Sequence, residues 1–463
     1  MTPAGTTADR VSAIASASTS ASTSASASAV AHSAGNPAAS AATAAASAAL
    51  HAFAGIGIEL EHIIVARGSL DPLPIADRLL AAAGGPGAAD VVRGSYGWSN
   101  ELALHVIEMK NQAPVASLAG LVQGFNGEVE AINRLLAQFD ACLLPGGMHP
   151  WMRPAVDTVL WPHENAEIYQ HFDRLFDCRR HGWANLQSMH VNLPFSGDDE
   201  FARLHAAIRL VLPIIPALAA SSPFADGVDS GHADYRMMVY RDNAALVPEI
   251  AGAVIPDTVV SREAYGRDIL APIYRAMAPH DPHGVLRHEW LNSRGAIARF
   301  DRSAIEIRVT DTQECPLADI AIAGAITAVV RMLYDEETAT LAQQQAFHTT
   351  DLVDILGRCT DRAELAPLTG TACSIYLGLL GYPKFSCSAQ HLWRYLLRVR
   401  APEPGLGEEG IGALDQILEH GTLATRLRRA THGDVTPARL HTLYRKLADC
   451  LQQGRMFGGQ RVL

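Results

Sequence analysis

The sequence predicts an α+β protein: short strands with one polar and one apolar face, separated by amphipathic helices and followed by a wholly helical C-terminal region. Three observations carry this. Within Gly55–Val65, Ile56, Ile58 and Leu60 alternate with Gly57, Glu59 and Glu61, and in Ala304–Val309 apolar residues alternate with Glu306 and Arg308, the period of two expected of a strand buried on one side. Residues 116–140 place Leu118, Leu121, Val122, Phe125, Val129, Ile132, Leu135 and Leu136 at helical spacing. Beyond Asp335 the alternation stops and helical patterns continue to the end.

The chain has 463 residues, a formal net charge of −11, 48% hydrophobic and 18% charged residues. That length buries a large core. The acidic balance excludes a general nucleic-acid or anionic-membrane surface, though not a local basic pocket for phosphate. Seven cysteines, odd in number and without a CxxC pair, predict a reduced, cytoplasmic protein rather than a disulfide scaffold or zinc–thiolate site. No apolar run is expected to reach the length of a membrane span.

Residues 1–50 are mostly Ala, Ser and Thr, too poor in large apolar side chains to offset their ordering entropy, and are expected to be disordered. A catalytic region is expected over 51–335. After the Glu59/Glu61 strand, Pro72–Ala83 reads as a short helix ending at Gly84-Gly85. Residues 98–112 read as a strand whose second half alternates, with Glu108 and Lys110 on the polar side. A helix follows at 116–140, then a strand at Cys142–Pro145 and the loop Gly146–Met152. Asn185–Phe195 reads as a strand with His190 and Asn192 sharing a face. A helix over 198–220, acidic at its positive end, should kink or divide at Pro213 and Pro216. Tyr235–Asn243 is a strand or the start of a helix, carrying Arg236 and Arg241. Glu289–Ile297 leads through Asp301-Arg302-Ser303 to the strand with Glu306 and Arg308, and Leu317–Tyr334 is an apolar core helix. Residues 336–463 form the helical C-terminal region: a Pro/Gly linker at 402–412 and amphipathic helices at 413–430 and 437–453, suited to packing or homo-oligomer contact.

Four strands thus offer polar residues two apart: Glu59/Glu61, Glu108/Lys110, His190/Asn192 and Glu306/Arg308. Each alone reads blandly. Glu59/Glu61 could be salt-bridged surface charges, His190 a satisfied core histidine, Arg308 the partner of Glu306 or Glu61. Lys110 divides evenly between phosphate contact and salt bridge. Of Arg236 and Arg241, one is expected to be structural and one anion-binding. His149-Pro150-Trp151 reads as an ordered turn with a buried indole rather than the lining of an amine pocket, and Cys315 as a small buried residue. If the four polar faces meet in one sheet, however, four carboxylates and an imidazole suit Mg²⁺, with Mn²⁺ tolerated, and Arg308 is free to fork onto a phosphate. That is equipment for phosphoryl transfer. No Walker-type loop competes for a nucleotide.

Gly57-x-Glu59-x-Glu61, Ile107-Glu108-Met109-Lys110, His149-Pro150-Trp151-Met152, Met189-His190-Val191-Asn192 and Ala304-Ile305-Glu306-Ile307-Arg308 together resemble the second glutamate–cysteine ligase family, the carboxylate–amine ligases, across about 53–335. The resemblance implies a glutamine-synthetase-like fold, a curved and mainly antiparallel sheet forming a funnel. It implies ATP and a divalent metal, phosphorylation of a carboxylate, typically the γ-carboxylate of glutamate, and attack by an amine on the acyl phosphate. By that analogy Glu59, Glu61, Glu108, His190 and Glu306 match metal positions, and Arg308 matches the position that steadies the transferred phosphoryl group. Lys110, Asn192, Arg236 and Arg241 fall to nucleotide or substrate. Counterparts of the family's cysteine-pocket residues are not evident, which leaves the amine acceptor open. The rivals are a metal-dependent phosphotransferase or hydrolase on the same fold and a catalytically silent nucleotide-binding relative.

Overall fold

Gly57–Ala66 (β1) is the strand on which the molecule is assembled. The computed structural model describes residues 49–401 and 404–461, so the expected disordered tail lies, but for its last two residues, outside the described residues. β1 pairs along its whole length with Val106–Asn111 (β4), Ala141–Leu144 (β5) and Ser188–Pro194 (β6). Adding Asp90–Arg93 (β2), Tyr96–Asn100 (β3), Ala296–Arg299 (β7) and Ala304–Asp311 (β8) gives an eight-stranded sheet. Its order is β2-β3-β4-β1-β6-β8-β7, with β5 beside the second half of β1, and every pairing is antiparallel.

Register decides what shares a face. Glu59 lies opposite both Lys110 and His190, Glu61 opposite Glu108, Gly57 and Glu306 opposite Asn192, and Ser99 opposite Glu108. Because side chains alternate, this one alignment sends Ile58, Leu60, Ile107, Met109, Met189, Val191, Ile305 and Ile307 to the other side, where all are buried in the main core. A bulge in β8 between Ile307 and Thr310 shifts the count by one. Asp311 therefore stands opposite Ser188 and joins the polar face although it is an odd step from Glu306.

Helices cover the apolar side: Leu121–Leu136 (α1), Gly197–Val211 (α2) and Pro316–Tyr334 (α3). α3 packs on both α1 and α2. It is long and apolar enough to cross a membrane, with mean hydropathy 1.7, contrary to the expectation that no run would be; 83% of its most apolar stretch is buried inside the protein, as befits a core helix.

Several boundaries differ from those expected. The strand expected at 98–112 is two, β3 and β4, because the chain leaves the sheet at Glu101 and returns at Val106. α1 is shorter than 116–140 and ends in a 3₁₀ turn, Ala137–Phe139, closed by Asp140 at φ 52°. Tyr235–Arg241 is a helix, capped by the Asp234 carboxylate on the Met237 amide. Glu289–Leu291 is a 3₁₀ turn and only Ala296–Arg299 is strand. As its prolines require, the 198–220 helix divides, with a tight turn at Leu212–Ile214 before Pro216–Ala219. The single helix expected at 413–430 is two, Glu408–His420 and Leu423–Thr431, separated where Gly421 takes φ 89°. Leu423–Thr431 and Pro437–Gln452 return to the sheet: Leu427, Leu440, Leu443, Tyr444 and Leu447 share a second core with Ile63 and Val65 of β1, Leu144 of β5 and Met152.

Candidate active site

The polar face is a buried acidic cluster. Glu59, Glu61, Glu108, His190, Glu306 and Arg308 are each 4% exposed or less. His190 sits at its centre: Nδ1 is 3.1 Å from Glu59 Oε2 and 3.9 Å from Glu306 Oε1, while Nε2 is 2.9 Å from Ser188 Oγ and 3.9 Å from Glu61 Oε1. Glu61 Oε2 accepts from the Ser188 amide and hydroxyl at 2.8 and 3.1 Å, and Glu59 Oε1 accepts from Asn192 Nδ2 at 3.2 Å. Glu108 Oε1 accepts from Ser99 Oγ at 2.7 Å and from Lys110 Nζ at 2.8 Å. Arg308 Nε lies 2.9 Å from Glu306 Oε1, and Arg299 Nη1 donates to Glu306 Oε2 at 3.3 Å.

Two constellations in this cluster suit a cation. Ligand atoms of Glu59, Glu108 and His190 lie within 4.8 Å of one another, and so do those of Glu61, Glu101 and Glu108. Glu108 belongs to both. Its second oxygen, Oε2, is buried and makes no hydrogen bond among the described residues. An orphaned carboxylate oxygen between acidic neighbours is costly unless a positive charge arrives, and an all-oxygen set with one imidazole fits Mg²⁺ or Mn²⁺. Glu101 was not anticipated. It stands in the β3–β4 connection, fully buried, and its one signal in the sequence is a carboxylate directly before the apolar Leu102-Ala103-Leu104. Arg299 was missed as well, since Ile297-Ala298-Arg299 carries one charge and shows no alternation.

Electrostatics favour the charged forms. Burial pushes the Glu59 carboxyl up, but the His190 hydrogen bond, with Lys110 nearby, brings it below the ordinary carboxylate range despite repulsion from Glu306. Burial also opposes the charge on Glu306; Arg308, His190 and Arg299 overcome it and hold that carboxyl low. Burial likewise disfavours Lys110 as a cation, and Glu108, Asp90 and Glu59 more than restore it. Lys110 is thus salt-bridged, and only 15% of its side chain is exposed.

The two arginines of the Tyr235–Arg241 helix separate. They are five positions apart, which turns their side chains well away from each other. Arg236 is buried and its Nε donates to Asp311, whose Oδ2 accepts from the Ser221 amide and the Ser222 hydroxyl, each at 2.8 Å; Arg236 Nη2 reaches the Arg308 carbonyl at 3.4 Å. Arg241 is exposed beside Asp242, at 3.3 Å, and is not among the residues whose contacts build the cluster. His149 and Trp151 form the expected turn, with His149 Nε2 2.7 Å from the Leu70 carbonyl and the Trp151 amide donating to Nδ1, but the indole is only half-buried, because its Nε1 reaches out to Asp71 Oδ1 at 3.0 Å. Cys315 is buried, and burial pushes its thiol up, as befits an inert residue.

The family model for glutamate–cysteine ligase family 2 matches residues 55–355. The chain belongs to that family. Among similar proteins, one of Archaeoglobus fulgidus of uncharacterised function is 40% identical over 58% of this chain and 72% of its own. A Rubrobacter xylanophilus protein bearing the provisional name glutamate–cysteine ligase 2-3 is 26% identical over 67% of this chain and 80% of its own. Among solved structures, a Francisella tularensis glutamate–cysteine ligase in complex with AMP superimposes with TM-score 0.56 at 13% identity, covering 87% of this chain and 89% of that one. A bifunctional glutathione synthetase from Pasteurella multocida gives TM-score 0.51 at 14% identity, covering 87% and 53%. The fold is the glutamine-synthetase-like one that the family resemblance implies, with a mainly antiparallel sheet and flanking helices. Family and fold together are those of an ATP-dependent carboxylate–amine ligase.

Proposed function

We propose that the protein uses MgATP to phosphorylate the γ-carboxylate of glutamate, or of a similar amino acid, and passes the acyl group to an amine. The observation that carries this reading is the shared Glu108: two acidic constellations meet at one carboxylate whose second oxygen has no hydrogen-bond partner among the described residues, on the polar face of a ligase-family sheet. Glu59, Glu61, Glu101, Glu108 and His190 would hold the cations, which would supply neutralisation of the nucleotide phosphates. The residues of the chain do the rest. Glu306 holds Arg308, two residues further along β8, at 2.9 Å, and the backbone after the β8 bulge is pinned through Asp311 to Arg236. A guanidinium fixed in this way meets charge developing on a transferred phosphoryl group without having to reorganise. Burial of the cluster keeps water from the acyl phosphate, which would otherwise be hydrolysed.

The test is ADP release with glutamate alone and then with a panel of amines and amino acids, the product being identified by mass. Amine-dependent turnover with an amide product supports the ligase; phosphate release that needs no amine places the protein among metal-dependent hydrolases. Turnover should disappear in Glu306→Gln while the fold survives, because the change frees Arg308 and removes one charge without opening a cavity.

A further inference from the structure

Among the described residues six arginines are buried, and five of them have a carboxylate within 4 Å: Arg236 has Asp311, Arg294 has Asp257, Arg299 and Arg308 have Glu306, and Arg426 has Glu314. Arg209, on α2, forms no ion pair among the described residues, although it is only 2% exposed. Its bonds go to neutral acceptors: Nε to the Pro256 carbonyl at 2.9 Å, and Nη2 to the Phe347 carbonyl at 2.9 Å and to Thr349 Oγ1 at 2.7 Å. The third nitrogen, Nη1, is buried and makes no hydrogen bond among the described residues. Burial disfavours the charge, and the one carboxylate that offsets this, Asp257, is mostly exposed and already takes Nε and Nη2 of Arg294, at 3.0 and 2.9 Å. His205, one turn earlier on α2, is no help: burial, then Arg209 and Arg294, push its imidazole down to about 3, so it stays neutral. A buried cation without a counter-charge is costly.

The same guanidinium abuts a helix end. Thr349, which accepts from Nη2, is the first residue of the 14-residue helix Thr349–Arg362, and no side chain caps that end. Its first-turn amides add partial positive charge beside Arg209. Asp351, in that turn, is not among the charges that act on Arg209. The place is open to solvent at its rim: Thr349 is half-buried, and His348, Thr350, Asp257 and Thr258 are exposed. We propose that Arg209 and the N-terminus of the Thr349–Arg362 helix form a binding site for a small oxyanion, phosphate or carboxylate, on the helix-covered side of the sheet and apart from the acidic cluster. Nη1 donates to it, as does the Thr349 hydroxyl, whose oxygen already accepts from Arg209 and whose proton must therefore point elsewhere. The uncapped amides complete the cradle. One unpaired guanidinium with about half a charge from the helix end matches an ion carrying one or two charges. The site stands whether or not the ligase reading holds.

The experiment is calorimetric titration of the full chain with inorganic phosphate and, separately, with acetate, at fixed chloride and without Mg²⁺ or nucleotide. Wild type, Arg209→Gln, Thr349→Val and Arg308→Gln are compared. Saturable binding of at least one of the two anions is expected in the wild type and, undiminished, in Arg308→Gln. It should weaken about tenfold in Thr349→Val, the size expected for loss of one charge-assisted hydrogen bond, and vanish in Arg209→Gln. The bound anion should raise the melting temperature of the wild type and leave that of Arg209→Gln where it was. Tighter binding of phosphate makes the ligand a phosphate; tighter binding of acetate makes it a carboxylate. No saturable binding of either anion by the wild type, or an affinity unchanged in Thr349→Val, overturns the site. So does binding lost in Arg308→Gln, which puts the ion at the acidic cluster instead. Should Arg209→Gln fail to fold, Thr349→Val and Arg308→Gln decide between these outcomes.

Discussion

At the scale of the residue, Glu108 is where structure and chemistry meet most closely. One oxygen accepts from Ser99 and from the Lys110 ammonium; the other is buried and makes no hydrogen bond among the described residues. Glu108→Gln keeps the shape and removes the charge common to both acidic constellations. Mg²⁺ and Mn²⁺ affinity, followed by Mn²⁺ paramagnetic resonance, is expected to fall at least tenfold with the far-ultraviolet spectrum unchanged; undiminished Mn²⁺ binding would remove Glu108 from the site. Glu101 offers a separate check. Glu101→Gln removes charge only from the constellation shared with Glu61, so it should weaken one class of bound Mn²⁺ and leave the class at Glu59 and His190. Its burial in a connection rather than a strand explains why the pattern of alternation could not find it: period-two reading detects residues that the sheet itself orients.

At the scale of the element, what the sequence discloses follows from how each residue is fixed. β1, β4, β6 and β8 were legible because each has one buried and one polar face, and a slip of one residue would exchange them. The order of the strands was not legible, since pairing of segments far apart in the chain leaves no local trace; the family resemblance supplied the fold. Asp311 shows a further limit. Counted along an ideal strand from Glu306 it belongs to the apolar face, and only the bulge returns it to the polar one, against Arg236. Gly147 backs this arrangement: a Cβ there would stand 2.4 Å from Asp311 Cγ and 2.6 Å from Oδ2. The Asp311 carboxylate cannot move aside without abandoning Ser221, Ser222 or Arg236. Gly147→Ala is therefore expected to cost about 1–3 kcal/mol of stability by overpacking, and to lower activity through displacement of Arg236. Denaturant unfolding and kcat measured together test the link, which breaks if stability falls and kcat does not.

At the scale of the whole molecule, buried neutral histidines set the acid limit. Burial lowers His149 to about 4 and His105 to about 4, against an ordinary value of 6.5. The unfolded chain takes up protons below 6.5 that the folded chain refuses until about pH 4, so stability is complete above the unfolded value and is lost as the pH falls through this window. Each such histidine should remove ~2 kcal/mol between pH 7 and pH 5, and His149→Gln should flatten the urea midpoint against pH by about that amount.

The C-terminal helices are packed against the sheet and hydrogen-bonded to the segment that follows it. Arg426, on Leu423–Thr431, is fully buried and donates through one nitrogen to Glu314, just past β8, and to the Phe457 carbonyl; the Phe457 amide returns a 3.1 Å bond to Glu314. Arg426→Ala would leave Glu314 a buried, uncompensated charge, at a cost of about 3–5 kcal/mol. Because Glu314 follows directly on the strand that carries Glu306, Arg308 and Asp311, the loss should not stay local. The expected result is one cooperative unfolding transition at lower urea, with tryptophan fluorescence and nucleotide binding lost together. Two separate transitions, with nucleotide binding retained through the first, would instead make residues 336–463 an independently stable unit and the Glu314 contact a surface of convenience.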